Sequence, residues 1–168
     1  MLVIAVTGTP GTGKTTIAKL LAKQLGFEYI SLNEFAKQHG LFEGYDKKKK
    51  CHLVDTKKLA RAFSQYIKNV TKKGVVADSH LAHYLPRAIV GLCVVTTCSK
   101  LKELEKRLKE RGYSKAKVRE NLDAEIFRVC LIDAIELGHN VVELDTSKLS
   151  PEACVKMVKS RLALGNQA

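Results

Sequence analysis

The sequence predicts a three-layer α/β fold, an open five-stranded parallel sheet with helices on both faces. Three observations predict it. Short apolar runs alternate with stretches of helical periodicity along the whole chain, the pattern of successive βαβ units. The first apolar run, residues 2–6, leads at once into Gly8-Thr9-Pro10-Gly11-Thr12-Gly13-Lys14-Thr15, which fits the phosphate-binding pattern G-x-x-x-x-G-K-[ST]. Behind it, Ile17, Leu20, Leu21 and Leu25 fall at helical spacing, so the motif has the strand–loop–helix context it requires.

The elements follow in order. Gly26 stops the first helix, and residues 27–30 read as a second strand, so strand, helix and strand imply a parallel crossover. Ser31 is a candidate N-cap for a short helix with Leu32, Phe35 and Ala36 on one face, ended by Gly40. Residues 41–50 read as an exposed loop that closes on Lys47-Lys48-Lys49-Lys50, or as a mobile flap that meets phosphate or RNA. Asp55 or Thr56 caps a helix whose inner face is Leu59, Ala62, Phe63, Tyr66, Ile67 and Val70 and which is expected to run to Lys73, with Gly74 as its stop. Val75-Val76-Ala77-Asp78 is a third strand ending in a carboxylate, and residues 89–97 contain the fourth. Leu101, Leu104 and Leu108 mark the next helix, broken at residues 110–113. Ser114 caps what reads as one long helix to Gly138, with Val118, Leu122, Ile126, Val129 and Ile132 or Asp133 inward. Residues 140–144 form the fifth strand, and Ser150-Pro151 starts a last helix docked by Val155, Val158 and Leu162, with residues 165–168 expected to fray.

Bulk properties narrow the class. The 168 residues suggest a single domain, and 45% hydrophobic with 27% charged residues is ordinary for a globular chain. No apolar run is long enough to span a bilayer and no leader is visible, so a cytoplasmic protein without membrane contact is expected. Five cysteines without C-x-x-C spacing (Cys51, Cys93, Cys98, Cys130 and Cys154) disfavour a zinc site or disulfide framework and suit a reducing interior. A net charge of +12 exceeds what a polyphosphate site needs, which leaves room for an RNA or acidic partner, or for a plain lysine-rich surface.

The motif carries its own chemistry. Glycines at 8, 11 and 13 let the loop turn its N–H groups inward as an anion nest at a helix N-terminus. Lys14 bridges the β- and γ-phosphates of ATP, the Thr15 hydroxyl holds Mg²⁺, and Thr16 donates to the α-phosphate. Asp78, at the end of a buried strand, suits the magnesium shell, acting through water. His80, two residues on, either positions water or substrate or is a hydrogen-bonded loop histidine; with His83 it lacks the further ligands a metal needs. Arg107 and Arg111 share a helix face where a lid begins, yet Glu103, Glu105 and Glu110 lie close enough to pair with them. The absence of an N-K-x-D run disfavours a GTPase, and the length disfavours motor and helicase cores.

On these residues the chain resembles a known family. GTPGTGKTT (residues 8–16), EGYD (43–46) with Cys51 and Asp55 following, GVVADSH (74–80) and ERGYSKAKVRENLDAEIFRV (110–129) are similar to the adenylate kinase isoenzyme six group of archaea and eukaryotes, also called CINAP. The resemblance spans nearly the whole chain. It implies the P-loop NTPase fold of nucleoside monophosphate kinase type and a broad-specificity kinase, ATP + NMP to ADP + NDP with AMP favoured, that also hydrolyses ATP. It further implies that Gly11, Gly13, Lys14, Thr15, Thr16 and Arg111 bind ATP. Residues about 31–54 correspond to the monophosphate-binding segment and about 110–120 to a short lid, and Asp78 and His80 match a D-x-H motif tied to magnesium and hydrolysis. Finally, it implies a role in late small-ribosomal-subunit maturation through ribosomal protein uS11, with pre-small-subunit particles and a possible rRNA contact as partners. The chain departs from the eukaryotic pattern at His83, where those members are acidic, and in its lysine run, where they are acidic too.

Overall fold

The structure, a computed structural model, describes residues 1–47 and 51–165. In chain order its elements are β1 (Leu2–Gly8), α1 (Lys14–Leu25), β2 (Glu28–Ser31), α2 (Leu32–Gln38), β3 (Phe42–Asp46), β4 (Cys51–Val54), α3 (Thr56–Tyr66), β5 (Gly74–Asp78), β6 (Leu92–Thr97), α4 (Leu101–Glu110), α5 (Lys115–Ile126), α6 (Val129–Glu136), β7 (Val141–Asp145) and α7 (Pro151–Gly165). Five strands make one parallel sheet in the order β2-β5-β1-β6-β7. Early connections from β1 go to one side and later ones to the other. The reversal therefore falls at β1, and the crevice at its C-terminal end is where ligands bind in open sheets of this kind.

Consecutive residues of β1 point to opposite faces, and each face has its own core. Val3 and Ala5 join Phe35, Leu59, Phe63, Leu131 and Ala134 on the side of α2, α3 and α6. Ile4 and Val6 join Ile17, Leu21, Val155 and Val158 on the side of α1 and α7. A third, smaller cluster of Cys98, Leu104, Leu108 and Val118 lies between α4 and α5. The caps fall where the side chains dictate. Ser31 accepts from the Glu34 N–H at 3.4 Å, Asp55 from those of Lys57 and Lys58 at 2.8 and 3.1 Å, and Ser114 from that of Lys117 at 3.3 Å.

Three expectations need correction. The stretch 41–50, read as a loop, contains β3, which pairs antiparallel with β4 in a separate two-stranded sheet. Its stacked Phe42 and His52 rings, 4.3 Å apart, hold the two strands together. Lys48 to Lys50, the heart of the lysine run, lie outside the described residues, as do residues 166–168. α3 ends at Tyr66 and passes through one 3₁₀ turn, so Gly74 opens β5 instead of stopping a helix. The long helix after Ser114 is two helices, α5 and α6. They part at Arg128, which has φ +56°, the one non-glycine residue in the left-handed region among the described residues. That break rotates the inner face, so Ile126, Val129 and Ile132 are exposed while Asn121, Glu125, Leu131 and Ala134 are buried. Among the described residues, no helix is long and apolar enough to cross a membrane.

Phe63 is fully buried and meets Phe35 edge-on, ring centroids 5.7 Å apart. Phe63→Ala is expected to lower unfolding free energy by about 3–5 kcal/mol, measured as a lower urea midpoint at unchanged slope.

Candidate active site

The loop between β1 and α1 is set by packing at both ends. At Gly8 a Cβ would stand 2.3 Å from the Thr96 carbonyl oxygen, so only glycine lets β1 turn while still paired to β6. At Gly13 a Cβ would meet only the Thr146 side chain, at 3.8 Å, but φ is +84°, which makes it the left-handed N-cap of α1. The Thr12 hydroxyl lies 2.7 Å from that of Thr96 and donates to the Thr9 carbonyl, also at 2.7 Å, closing the loop on itself. Its N–H groups and the first turn of α1 then face one concavity at the C-terminal edge of the sheet.

On the β5 side of this loop, Thr15 donates its hydroxyl hydrogen to Asp78 Oδ2 at 2.7 Å, and Tyr29 from β2 donates to the same oxygen at 3.0 Å. The pairing of β2 with β5 brings Tyr29 there, and the tyrosine hydroxyl is pushed above its ordinary pKa by burial and by the neighbouring carboxylate. Lys14 donates to the Thr9 carbonyl at 3.1 Å. Burial lowers its pKa to about 8, with Arg111 adding to the fall while Asp78, Cys130 and Glu125 oppose it. A largely desolvated ammonium with a carbonyl as its hydrogen-bond partner is a strong attractor for an anion. His80 stands at the mouth, open to solvent along one side. Burial of the rest of the ring, with Lys14, His83 and Lys117 nearby, brings its pKa down to about 4, so the imidazole is neutral at physiological pH.

On the β6–β7 side lies a cleft of about 460 Å³ lined by Gly11, Gly13, Thr16, Arg107, Arg111 and Thr146, with Ile17, Leu149 and Pro151 as its apolar wall. Arg107 reaches the Gly11 carbonyl at 3.3 Å and the Thr146 hydroxyl at 3.4 Å and is ion-paired with Glu103. Arg111, at the turn between α4 and α5, lines the same cleft and lies within electrostatic range of Lys14. Of the residues singled out in the sequence, Gly11, Gly13, Thr16, Arg107 and Arg111 thus surround one cavity. Lys14, Thr15, Asp78 and His80 gather on the other side of the same loop. His83 does not face the site. It is buried, its Nδ1 is 2.7 Å from the Thr7 hydroxyl, and its Nε2 looks toward Asp133 at 3.7 Å, tying β1 to α6.

The hard oxygens of Thr15 and Asp78, already in contact, suit Mg²⁺, which takes few protein ligands and completes its shell with water and phosphate oxygens.

The structure adds residues that the sequence reading passed over. Thr146 donates to the Thr12 carbonyl at 2.8 Å and fastens the loop after β7 to the phosphate-binding loop. Asp145, beside it, accepts from the Ser99 N–H at 3.2 Å and the Ser147 hydroxyl at 2.6 Å. Burial works to raise its pKa, but these donors hold the carboxyl well below the usual range. Glu125 is buried and accepts the Cys98 N–H at 2.6 Å, anchoring α5 to the end of β6. Thr146 was open to discovery, because it directly follows a strand end at the ligand-bearing edge. Tyr29 and Glu125 depend on strand order and on the α5–α6 break, which leave no local signal.

Comparison with known proteins agrees with this geometry. The family model described as "AAA domain" matches residues 4–128. A Thermococcus kodakarensis protein named "Putative adenylate kinase" is 40% identical over 98% of this chain and 87% of its own length. The same name is carried by a Pyrococcus abyssi protein, 42% identical over 94% of this chain and 82% of its own. The Saccharomyces cerevisiae protein "Adenylate kinase isoenzyme 6 homolog FAP7" is 38% identical over 85% of this chain and 72% of its own. Among solved structures, Bacillus subtilis YorR in complex with phosphorylated GDP superposes with a TM-score of 0.64 at 16% identity, over 100% of this chain and 99% of that one. The deoxyadenosine kinase of M. mycoides gives a TM-score of 0.58 at 17% identity, over 96% and 99%. The two structures share the α/β P-loop fold, and the full-length similarity to the archaeal and yeast proteins places this chain in the adenylate kinase isoenzyme 6 family.

Proposed function

We propose that this protein is a broad-specificity nucleoside monophosphate kinase that favours AMP, converting ATP and AMP to two ADP, and that the same site hydrolyses ATP slowly. The observation that carries the reading is the direct Thr15–Asp78 hydrogen bond in a phosphate loop flanked by an arginine-lined cleft. In this reading the loop N–H groups and Lys14 hold the β- and γ-phosphates, and Thr16 holds the α-phosphate. The base lies against Ile17, Leu149 and Pro151. Thr15, and Asp78 through water, would hold Mg²⁺, which would supply charge neutralisation on the phosphates. An AMP phosphate oxygen, presented from the segment 31–54, attacks the γ-phosphorus as the bond to the β-phosphate oxygen breaks. Arg111 and Arg107 spread the charge that builds on the equatorial oxygens. No proton need move when the acceptor is a phosphate oxygen. With water as acceptor a proton must leave, and neutral His80 at the mouth is placed to orient the attacking molecule.

The cellular role we propose with it is cytoplasmic: late maturation of the small ribosomal subunit through ribosomal protein uS11, with an rRNA contact at the particle. A second reading makes the ATPase the main activity and the kinase incidental. It is favoured by the apolar side chains Ile126, Phe127, Val129 and Ile132, which stand exposed beside the lid, where a protein partner would sense nucleotide state.

ADP formation from Mg·ATP, measured with and without AMP and with and without purified uS11, separates the two. The kinase reading expects AMP to raise the initial rate by at least tenfold, on the order of what substrate positioning contributes. A rate indifferent to AMP but altered by uS11 would replace it with the second. Lys14→Ala is expected to reduce turnover by roughly a thousandfold, the scale of one lost charge-stabilising group, with an unchanged circular dichroism spectrum; wild-type initial rates would remove the loop from the chemistry. Tyr29→Phe removes one hydrogen bond to Asp78. It should raise the magnesium concentration for half-maximal rate by about three- to tenfold, equivalent to roughly 0.5–1.5 kcal/mol, with the rate at saturating magnesium nearly unchanged.

A further inference from the structure

The charge of +12 is not evenly spread. Residues 56–73 hold Lys57, Lys58, Arg61, Lys68, Lys72 and Lys73 and no aspartate or glutamate, so this one stretch contributes +6, half of the total. All six side chains are exposed. Lys57 and Arg61 on α3, with Lys68 in the 3₁₀ turn that continues it, lie opposite the buried Leu59, Ala60, Phe63 and Ile67. At 1.5 Å per residue they form a stripe about 16 Å long, which Lys72 and Lys73 continue toward the start of β5.

Around the lid, by contrast, several cations are paired within their own helix. On α4 and α5, Lys106 meets Glu110 at 3.9 Å, Lys109 meets Glu105 at 2.6 Å, Arg119 meets Asp123 at 3.0 Å, and Arg107 pairs with Glu103. Along α3, among the described residues, only Lys58 has an ion pair, with Glu43 at 2.5 Å. The other carboxylates nearby are committed: Asp55 caps α3, and Glu28 accepts the Tyr66 hydroxyl at 2.7 Å. Arg61, Lys68, Lys72 and Lys73 have no acidic partner among the described residues. Like charges gathered this closely repel one another, and a polyanion relieves that repulsion.

We propose that this face of α3, continued through Lys72 and Lys73, binds the sugar–phosphate backbone of a nucleic acid, separately from the nucleotide cleft. The face itself argues for backbone over acidic protein. A protein interface has an apolar or aromatic centre, and no large apolar side chain is exposed between residues 56 and 73. The same absence removes any platform for base stacking, so binding is sequence-independent and tracks phosphates.

The test is anisotropy of labelled 20-mer duplexes, one RNA and one DNA of the same sequence, titrated with the full-length protein over a salt series, with poly-glutamate as competitor. The expected result is binding that weakens steeply with salt. In the variant Arg61→Gln/Lys68→Gln/Lys72→Gln/Lys73→Gln, the log–log salt slope becomes shallower by roughly three to four units, close to one per lost phosphate contact. The control Lys106→Gln/Lys109→Gln, whose charges are paired locally, keeps the wild-type slope. Tighter binding of one duplex assigns the surface to RNA or to DNA. Because all four side chains are exposed, the variant should melt with the wild type and retain nucleotide turnover, which keeps this test separate from that of the kinase reading. No salt-dependent binding by the wild type, an equal slope in the quadruple variant, or displacement of duplex by poly-glutamate at equal charge concentration would overturn the proposal.

Discussion

The hydrogen bond from Thr15 to Asp78 ties together the two parts of the molecule on which the rest depends. Thr15 belongs to the first turn of α1 and Asp78 to the last residue of β5, two elements that the chain reaches 63 positions apart. The contact exists because β5 pairs with β1 in a register that sets Val6 beside Asp78, so the strand ends level with the start of the phosphate loop. Shifting β5 by one residue would turn the carboxylate to the other face of the sheet. The position of one carboxylate is therefore a property of the whole sheet, and the buried side chains of both core layers hold it there.

Much of this was legible in the chain. The phosphate loop is local: its glycines, its lysine and its flanking strand and helix are contiguous, so motif and context could be read together. The five parallel strands were also legible, because each is a short apolar run between helical stretches. What escaped was non-local or lacked a compositional mark. The β3–β4 hairpin is largely exposed and has no alternating apolar pattern, since its strands are held by ring stacking and one another's backbones. The α5–α6 break falls at Arg128, where neither glycine nor proline announces it. Reading through it placed Ile126, Val129 and Ile132 inside when they are outside. Tyr29 reached Asp78 only once the strand order β2-β5-β1 was known.

The distribution of charge separates the surface into two kinds. On α4 and α5, which border the cleft, acidic and basic side chains alternate at helical spacing and largely cancel, leaving Arg111 at the turn to act on the site. On α3 and the turn after it only Lys58 is offset by a carboxylate among the described residues, Glu43. A surplus spread over the whole surface would serve solubility alone, whereas one concentrated on α3 and the segment after it gives the molecule a direction for approaching a large anion.

β1 belongs to both core layers at once and is paired on both sides, so it has no edge and no spare face. Its backbone amides can open to solvent only when the domain as a whole opens, which places the attachment of the phosphate loop among the slowest sites of hydrogen exchange. The hairpin of β3 and β4 is at the other extreme, two strands with most of their side chains in water and few contacts to lose. The fold thus divides its cooperativity unevenly. The cradle for the nucleotide unfolds last, and the segment that would receive the second substrate can rearrange at little cost to the remainder.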